Sequence, residues 1–120
     1  MYQIYFYRDR NGREPVADFM RELESRTDKA SRVTLTQIVK YIRYLQEYGT
    51  RSGPRIVKHI DGEIWELRPD RYRVFFAAWY QGSFLLLHTF MKKTQKTPPR
   101  EIEQAKRELR DMLERRQDNE

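Results

Sequence analysis

The chain contains no cysteine, which excludes a disulfide-based scaffold, zinc sites with thiolate ligands and thiol nucleophiles. The same absence is compatible with the reducing cytoplasm, where we expect the protein to reside. No apolar run approaches the roughly 18 residues of a membrane span, and Met1 leads directly into an alternating, strand-like segment. We therefore expect neither a membrane segment nor a secretory signal sequence.

Internal repeats, low-complexity tracts and long linkers are absent as well. The 120 residues fall within the range of about 100–150 over which a chain usually builds a single core. A chain of this size buries roughly two-thirds of its unfolded surface, so it needs no metal or disulfide for stability. We expect one domain over residues 1–120, with a frayed C-terminal tail after about residue 113.

Acidic residues are in the minority, since 24 lysines and arginines face 18 aspartates and glutamates, a net charge of +6. The excess is concentrated in residues 51–99, which carry nine basic and four acidic side chains. A local excess of positive charge is typical of a surface that binds a polyanion. Nucleic acid is therefore a candidate partner, and a general contribution to solubility is the other explanation.

Hydrophobic periodicity and turn signals predict the element order β-α-α-β-β-β-β-α. The first helix begins at Pro15, and Thr27 or Asp28 caps the second. The second helix ends at Gly49, and the last one follows Pro98-Pro99. The predicted strands cover residues 2–7, 56–60, 64–68, 72–80 and 84–91. This pattern predicts an α+β fold in which two N-terminal helices and a C-terminal helix pack an antiparallel sheet.

Turn dipeptides between the strands indicate which residues face one another. With two-residue loops at Pro69-Asp70 and Gln81-Gly82, Arg73 lies opposite Glu66 on one side and Phe90 on the other. Because side chains alternate along a strand, one face then collects Glu66, Arg68, Arg71, Arg73, His88, Phe90 and Lys92. The other face collects Leu67, Tyr72, Val74, Phe76, Leu85, Leu87 and Met91. Farther along the same strands, the first face becomes apolar through Phe75, Ala77, Trp79, Phe84 and Leu86. Like charges placed side by side favour a bound anion between them, unless Glu66 and Asp70 neutralise the arginines in ion pairs.

Three lysines, Lys92, Lys93 and Lys96, follow the last predicted strand. Each can place a point charge near a phosphate group, and the amides at the start of the following helix also favour an anion. By itself such a loop is common in solvated turns. Next to the polar face, it favours a phosphate-binding site.

Three sequence blocks resemble the HigB-like, phage-derived branch of the RelE/ParE toxin superfamily. They are Trp65-Glu66-Leu67-Arg68, Tyr72-Arg73-Val74-Phe75-Phe76 and Leu87-His88-Thr89-Phe90-Met91-Lys92-Lys93-Thr94-Gln95-Lys96-Thr97-Pro98. The segment from Glu101 to Ala105 fits as well, whereas residues 1–50 match in element order only. The resemblance implies a RelE/ParE-like fold and the toxin of a type II toxin–antitoxin pair from a bacterium or prophage.

Many members of this superfamily are ribosome-associated endoribonucleases that cleave mRNA. The resemblance therefore implies an mRNA endoribonuclease with a cognate antitoxin, which in this branch is often a helix-turn-helix protein encoded by the adjacent gene. Other members inhibit DNA gyrase and cleave nothing, so the fold does not decide the activity. An inactive phage-derived binding module is the third alternative.

Metal-independent RNA cleavage needs a base for the 2′-hydroxyl proton, positive charge at the phosphorus and an acid for the 5′ leaving oxygen. No HxxxH motif or carboxylate cluster indicates a metal, so we expect no cofactor. Arg68 and Arg73 are predicted to clamp the scissile phosphate, because a guanidinium stays protonated and holds phosphate at two points. Lys92 is the predicted base or acid, since neighbouring cations lower the pKa of a lysine, and Lys93 completes the predicted catalytic set.

Lys93 and three cations outside the predicted catalytic set are also predicted to guide the RNA. Lys93 and Lys96 hold flanking phosphates, and Lys58 and Arg71 extend the track.

Two further side chains have alternative roles. His88 is a competing base, but its expected position opposite Phe75 favours a packed, hydrogen-bonded histidine. Glu66 either orients Arg73 through an ion pair or acts as a base itself.

Overall fold

In the computed structural model, which describes residues 1–118, five strands and three α-helices follow one another in the predicted order. The elements are β1 (Gln3–Phe6), α1 (Pro15–Ser25), α2 (Lys29–Tyr48), β2 (Val57–Asp61), β3 (Ile64–Leu67), β4 (Tyr72–Trp79), β5 (Ser83–Met91) and α3 (Pro99–Asp118). A short 3-10 turn, Gly49–Ser52, separates α2 from β2. The α+β fold class is confirmed.

The helix boundaries follow from local chemistry. Pro15 is the first residue of α1, where its missing N–H costs nothing. The carboxylate of Asp28 caps α2 by accepting a hydrogen bond of 2.9 Å from the backbone N–H of Ser31. Gly49 ends α2 with a φ of +60°, a conformation that glycine adopts without strain. These predicted boundaries are confirmed.

The sheet has the strand order β1-β5-β4-β3-β2. The four strands β2 to β5 form an antiparallel meander, and β1 joins its edge in parallel to β5. Helices α1 and α2 cover one face of the sheet and α3 covers the other, so each face has its own hydrophobic cluster. The polar end of the sheet discussed below lies on the α3 face.

A β-bulge interrupts the pairing of β4 with β5. Phe75 pairs with His88, but Phe76 pairs with Leu86, so Leu87 is an extra residue on β5. The turn contains three residues, 80–82, because Trp79 pairs with Ser83. The predicted two-residue turn is therefore wrong. The bulge compensates for the extra turn residue, so the predicted register holds from Phe75 to the end of the sheet that lies opposite the β4–β5 turn, which we call the open end.

The bulge changes which face the first half of β5 presents. We expected Leu85 and Leu87 beside Phe76, and Phe84 and Leu86 on the opposite face. Instead Leu85 and Leu87 lie in the cluster under α3, whereas Phe84 and Leu86 lie with Phe76 under α1 and α2. Side chains alternate between the two faces along a strand, so one extra residue in the turn moves every β5 side chain between the turn and the bulge to the opposite face.

The connection between β3 and β4 is also longer than predicted. Leu67 pairs with Val74 and Glu66 pairs with Phe75, so Glu66 is not directly opposite Arg73. Residues 68–71 form the loop, in which Asp70 has a φ of +54°. The register differs from the expectation by two residues, and an even shift leaves each side chain on its predicted face.

The last helix extends through the stretch where we expected fraying, since α3 reaches Asp118. Its second half is tied to the start of the chain: Asp111 accepts hydrogen bonds from the Tyr7 hydroxyl (2.7 Å) and from Arg10 Nε (2.8 Å), and Arg115 donates to the carbonyl of Arg8. The rest of the expected tail, residues 119–120, lies outside the described residues. No helix within residues 1–118 is both long and apolar enough to span a membrane.

The placement of Leu87 under α3 can be tested. Because Leu87 is fully buried, Leu87→Ala should lower the free energy of unfolding by about 3 kcal/mol. Amide hydrogen exchange should accelerate most in α3, which loses its packing partner. The matched variant Leu86→Ala should instead accelerate exchange in α1 and α2. Faster exchange in α1 and α2 for Leu87→Ala would contradict the bulge.

Candidate functional site

Four neighbouring strands each contribute a cation to the α3 face at the open end of the sheet. Lys58 lies on β2, Arg68 follows β3, Arg73 lies on β4 and Lys92 follows β5. The pairing of Lys58 with Glu66 places both on that face. The backbone N–H of Lys92 donates to the carbonyl of Arg71 at 2.8 Å, which continues the β4–β5 pairing beyond the strands. Strand pairing therefore brings cations from distant parts of the sequence together.

One acid lies beneath these cations. The side chain of Glu66 is 0% exposed, and its Oε2 is 3.3 Å from Arg68 Nε and 3.5 Å from Arg73 Nε. Within the described chain, neither carboxylate oxygen of Glu66 accepts a hydrogen bond. The ion pair of Glu66 with Arg73, one of its two expected roles, is thus present in the structure.

The Nε atoms of the two arginines face Glu66, and their Nη1 atoms donate hydrogen bonds to backbone carbonyls. Arg68 Nη1 donates to the carbonyl of Pro54 at 2.8 Å. Arg73 Nη1 donates to the carbonyls of Asp70 at 2.9 Å and Tyr72 at 2.8 Å. Among residues 1–118, the Nη2 atoms of both arginines make no hydrogen bond. Each guanidinium therefore keeps one donor group for a ligand.

An open cleft of about 510 Å³ lies beside this cluster. Its lining is polar throughout and consists of Arg71, Arg73, Lys92, Lys93, Thr94 and Gln95. Four cations around a cleft without an apolar wall suit a phosphate group better than a base or another apolar ligand.

The electrostatic surroundings change the basicity of Lys92. Partial burial lowers the pKa of the Lys92 ammonium, and the nearby charges of Arg73, Arg68 and Lys58 lower it further. The carboxylate of Glu66 acts in the opposite direction, but the net effect is a lowered pKa. Lys92 is thus more readily deprotonated than an ordinary lysine.

The structure brings most of the predicted site residues together. Arg68, Arg73, Lys92 and Lys58 interact with one another around Glu66, and Arg71 and Lys93 line the adjoining cleft. Lys96 is exposed in the loop that follows, where its carbonyl accepts a hydrogen bond of 2.7 Å from Thr94 Oγ1.

His88 lies on the same face as the cluster, but both of its ring nitrogens contact carboxylates of α3. It is 3% exposed; its Nδ1 is 2.7 Å from Glu108 Oε1 and its Nε2 is 3.0 Å from Glu101 Oε1. Burial lowers the pKa of His88, but the hydrogen bonds and charges of Glu108 and Glu101 outweigh burial and raise it overall. The expectation of a packed, hydrogen-bonded histidine is confirmed.

The two glutamate partners of His88 were missed in the sequence. Glu101 and Glu108 are seven residues apart, two turns of helix, and therefore lie on the same side of α3. That spacing beside the apolar stripe of Ile102, Ala105 and Leu109 was the available signal. It does not identify the histidine that the two carboxylates contact.

Two tyrosines lie near opposite ends of β4. Tyr72 packs against Phe19 on the α1–α2 side, with 5.3 Å between ring centroids, as expected for a core residue. Tyr80 lies in the β4–β5 turn at the other end of the sheet, and the guanidinium carbon of Arg116 is 3.6 Å from the centroid of its ring. Within residues 1–118, no group of His, Asp and Glu side chains has the arrangement of a metal site.

Comparison with known proteins finds one family. A model of the family described as Phage derived protein Gp49-like matches residues 18–110, which span α1 to α3 and include every predicted site residue. No curated protein matches the chain significantly.

The Glu101–His88–Glu108 contact predicts a pH-dependent stability. Because the folded-state pKa of His88 is raised above its ordinary value of 6.5, its contribution is complete below about pH 6.5 and is lost as the pH rises through the folded-state pKa. His88→Gln should therefore cost about 3 kcal/mol of unfolding free energy near pH 6, and less at higher pH. Denaturant unfolding between pH 6 and 9 measures this difference.

The exposed His59 provides the control, because its Nε2 contacts only the carbonyl of Gly62, at 2.7 Å, among described residues. His59→Gln should cost less unfolding free energy near pH 6 than His88→Gln, because His59 is exposed and contacts neither Glu101 nor Glu108. A loss for His88→Gln that stays constant from pH 6 to 9 would contradict the charged contact.

Proposed function

The chain belongs to the phage-derived Gp49-like family, and on that basis we propose that it is the toxin of a type II toxin–antitoxin pair that cleaves mRNA as an endoribonuclease. The family is associated with RelE-type toxins. The observation that carries the proposal is the convergence of Arg68, Arg73 and Lys92 on one buried acid beside a polar cleft. Within the RelE/ParE superfamily we assign the chain to the HigB-like branch, which its sequence blocks resemble.

The cluster is suited to hold the scissile phosphate. Arg68 and Arg73 each offer an Nη2 group, and two guanidinium groups can stabilise the extra negative charge that develops on the phosphorane. We assign Arg71 and Lys93, which also line the cleft, to flanking phosphates. We assign Lys58 and Lys96 to the outer parts of the same RNA track.

The reaction requires two proton transfers. The 2′-hydroxyl loses its proton to a base, its oxygen bonds to phosphorus, the bond from phosphorus to the 5′ oxygen breaks, and that oxygen takes a proton from an acid. Lys92 performs one of these transfers in the proposal, because it lines the cleft beside Arg73 and its pKa is lowered by burial and by the neighbouring cations. The reaction as written needs no cofactor.

His88 is a poorer candidate for proton transfer. Both of its ring nitrogens contact carboxylates, and it is 3% exposed. A base must reach the proton that it removes, and His88 would first have to break a buried contact.

The partners follow from the same premise. We propose a cognate antitoxin of the helix-turn-helix type, encoded by the adjacent gene, and mRNA on the ribosome as the substrate. The antitoxin should present acidic side chains, because the site that it must block is lined by cations.

Induction in bacteria, followed by mapping of mRNA ends, tests the activity. The wild-type protein should arrest growth and produce new 5′ ends within transcripts. Arg73→Ala and Lys92→Ala should each lower cleavage by about 100-fold or more, because each removes charge or proton transfer in the transition state. Both variants should still fold and bind the antitoxin.

Two exposed cations away from the site serve as matched controls: Arg107→Ala on α3 and Lys40→Ala on α2 should cleave like the wild type. Intact transcripts during continued growth arrest would contradict the nuclease and favour an action on gyrase. Cleavage that survives Lys92→Ala but not His88→Ala would reverse the two roles.

The lysines of the loop should act through phosphate contacts. In the Lys92→Ala background, which should bind RNA without cleaving it, Lys93→Ala or Lys96→Ala should weaken binding to single-stranded RNA regardless of its sequence. Each should also reduce the slope of log K against log salt by about 0.7, the value for one phosphate contact. Lys40→Ala is the control, and an unchanged slope would remove the altered lysine from the track.

A further inference from the structure

We propose that Glu66 is a positioning residue that holds the guanidinium groups of Arg68 and Arg73 ready for an RNA phosphate. The inference rests on the proposed endoribonuclease function and adds a residue that does not itself touch the substrate. It is carried by the burial of Glu66 and by its distances to the two arginines.

The environment of Glu66 is unusual for a carboxylate. The side chain is fully buried, yet within the described chain both oxygens lack hydrogen bonds, as does Arg73 Nε. Buried polar groups are nearly always hydrogen-bonded, so each exception needs an explanation. Packing alone does not supply one, because the neighbours of Glu66 on the α3 face include the apolar residues Ile64 and Phe75, which offer its carboxylate no hydrogen bond.

Charge supplies the explanation. The groups that face Lys92 are the carboxylate of Glu66 and the cations of Arg73, Arg68 and Lys58, and Arg71 and Lys93 line the same cleft. The exposed carboxylate of Asp70 also attracts Arg73, but Glu66 is the one buried acid in this set. Without it, the guanidinium groups would repel one another at the place where both must meet a single phosphate.

The geometry shows how the acid can position both arginines. The same oxygen, Oε2, lies 3.3 Å from Arg68 Nε and 3.5 Å from Arg73 Nε. Backbone carbonyls hold Nη1 of each arginine. One edge of each guanidinium therefore faces Glu66 and a second donates to backbone carbonyls, and the donor group that remains is the one assigned above to the phosphate.

Glu66→Gln tests this role, because it keeps the shape of the side chain and removes its charge. Cleavage should fall about 100-fold as the arginines lose their alignment. The limb of the pH–rate profile that depends on Lys92 should move to lower pH by on the order of one unit, because the acid that opposes deprotonation of Lys92 is gone. The direction is the same whether Lys92 acts as base or as acid.

A direct titration of Lys92 tests the role of Glu66 without measuring cleavage. NMR of the Lys92 ammonium in RNA-free protein should give a pKa lower in Glu66→Gln than in the wild type by a similar amount. Glu63→Gln, which changes an exposed glutamate in the β2–β3 turn, should leave both the titration and cleavage unchanged. Glu66→Asp should restore the Lys92 titration toward the wild-type value, since it restores the charge, but should cleave slowly.

A measurement on the wild type applies even if these variants do not fold. The Nε–H protons of Arg68 and Arg73 should exchange with solvent more slowly than that of Arg107, which is exposed on α3. Exchange as fast as that of Arg107 would overturn the role of Glu66, as would folded Glu66→Gln protein with an unchanged Lys92 titration and unchanged cleavage. A wild-type protein that cleaves no RNA contradicts the proposed function alone, because the NMR results still decide the role of Glu66.

Discussion

The functional end of this molecule depends on one buried negative charge among several positive ones. Adjacent strands are about 4.8 Å apart, so cations on four neighbouring strands repel one another strongly wherever water is excluded. The carboxylate of Glu66 lies at the centre of this group, within 3.5 Å of both Arg68 and Arg73. The arginines can therefore be close together before a phosphate is present. Lys92 lies near enough to respond to every charge in the group.

The second constraint is the attachment of α3 to the sheet. His88 on β5 contacts Glu101 and Glu108 on α3, which joins the end of the last strand to the beginning of the last helix. The loop that carries Lys93 and Lys96 connects these two elements, so both of its ends are anchored. Further along α3, Asp111 contacts Tyr7 and Arg10 and fixes the second half of the helix. The histidine thus supports the site without taking part in the proposed chemistry.

Local signals predicted the elements well because they act over a few residues. Pro15, Asp28 and Gly49 end or begin helices through their own backbone chemistry, and all three positions are confirmed. The strand register was harder, because it depends on loop lengths and on the bulge at Leu87. The face of each side chain at the open end was still predicted correctly, for two reasons. The longer β3–β4 loop shifts the register by two residues, which leaves every side chain on its face, and the bulge cancels the effect of the longer β4–β5 turn. The faces of Phe84 to Leu87 were predicted wrongly, since they lie between the turn and the bulge.

The amino-acid sequence alone was enough to predict the type and order of the elements, the residues that carry positive charge, and the basic segment after the last strand. Each of these properties depends on residue type and on alternation or spacing along the chain. Three features became visible only in the folded chain: Glu66 is fully buried, His88 contacts two carboxylates of α3, and α1–α2 and α3 cover opposite faces of the sheet. Burial and charge contacts between distant segments depend on how both faces of the sheet are covered. No local pattern contains that information.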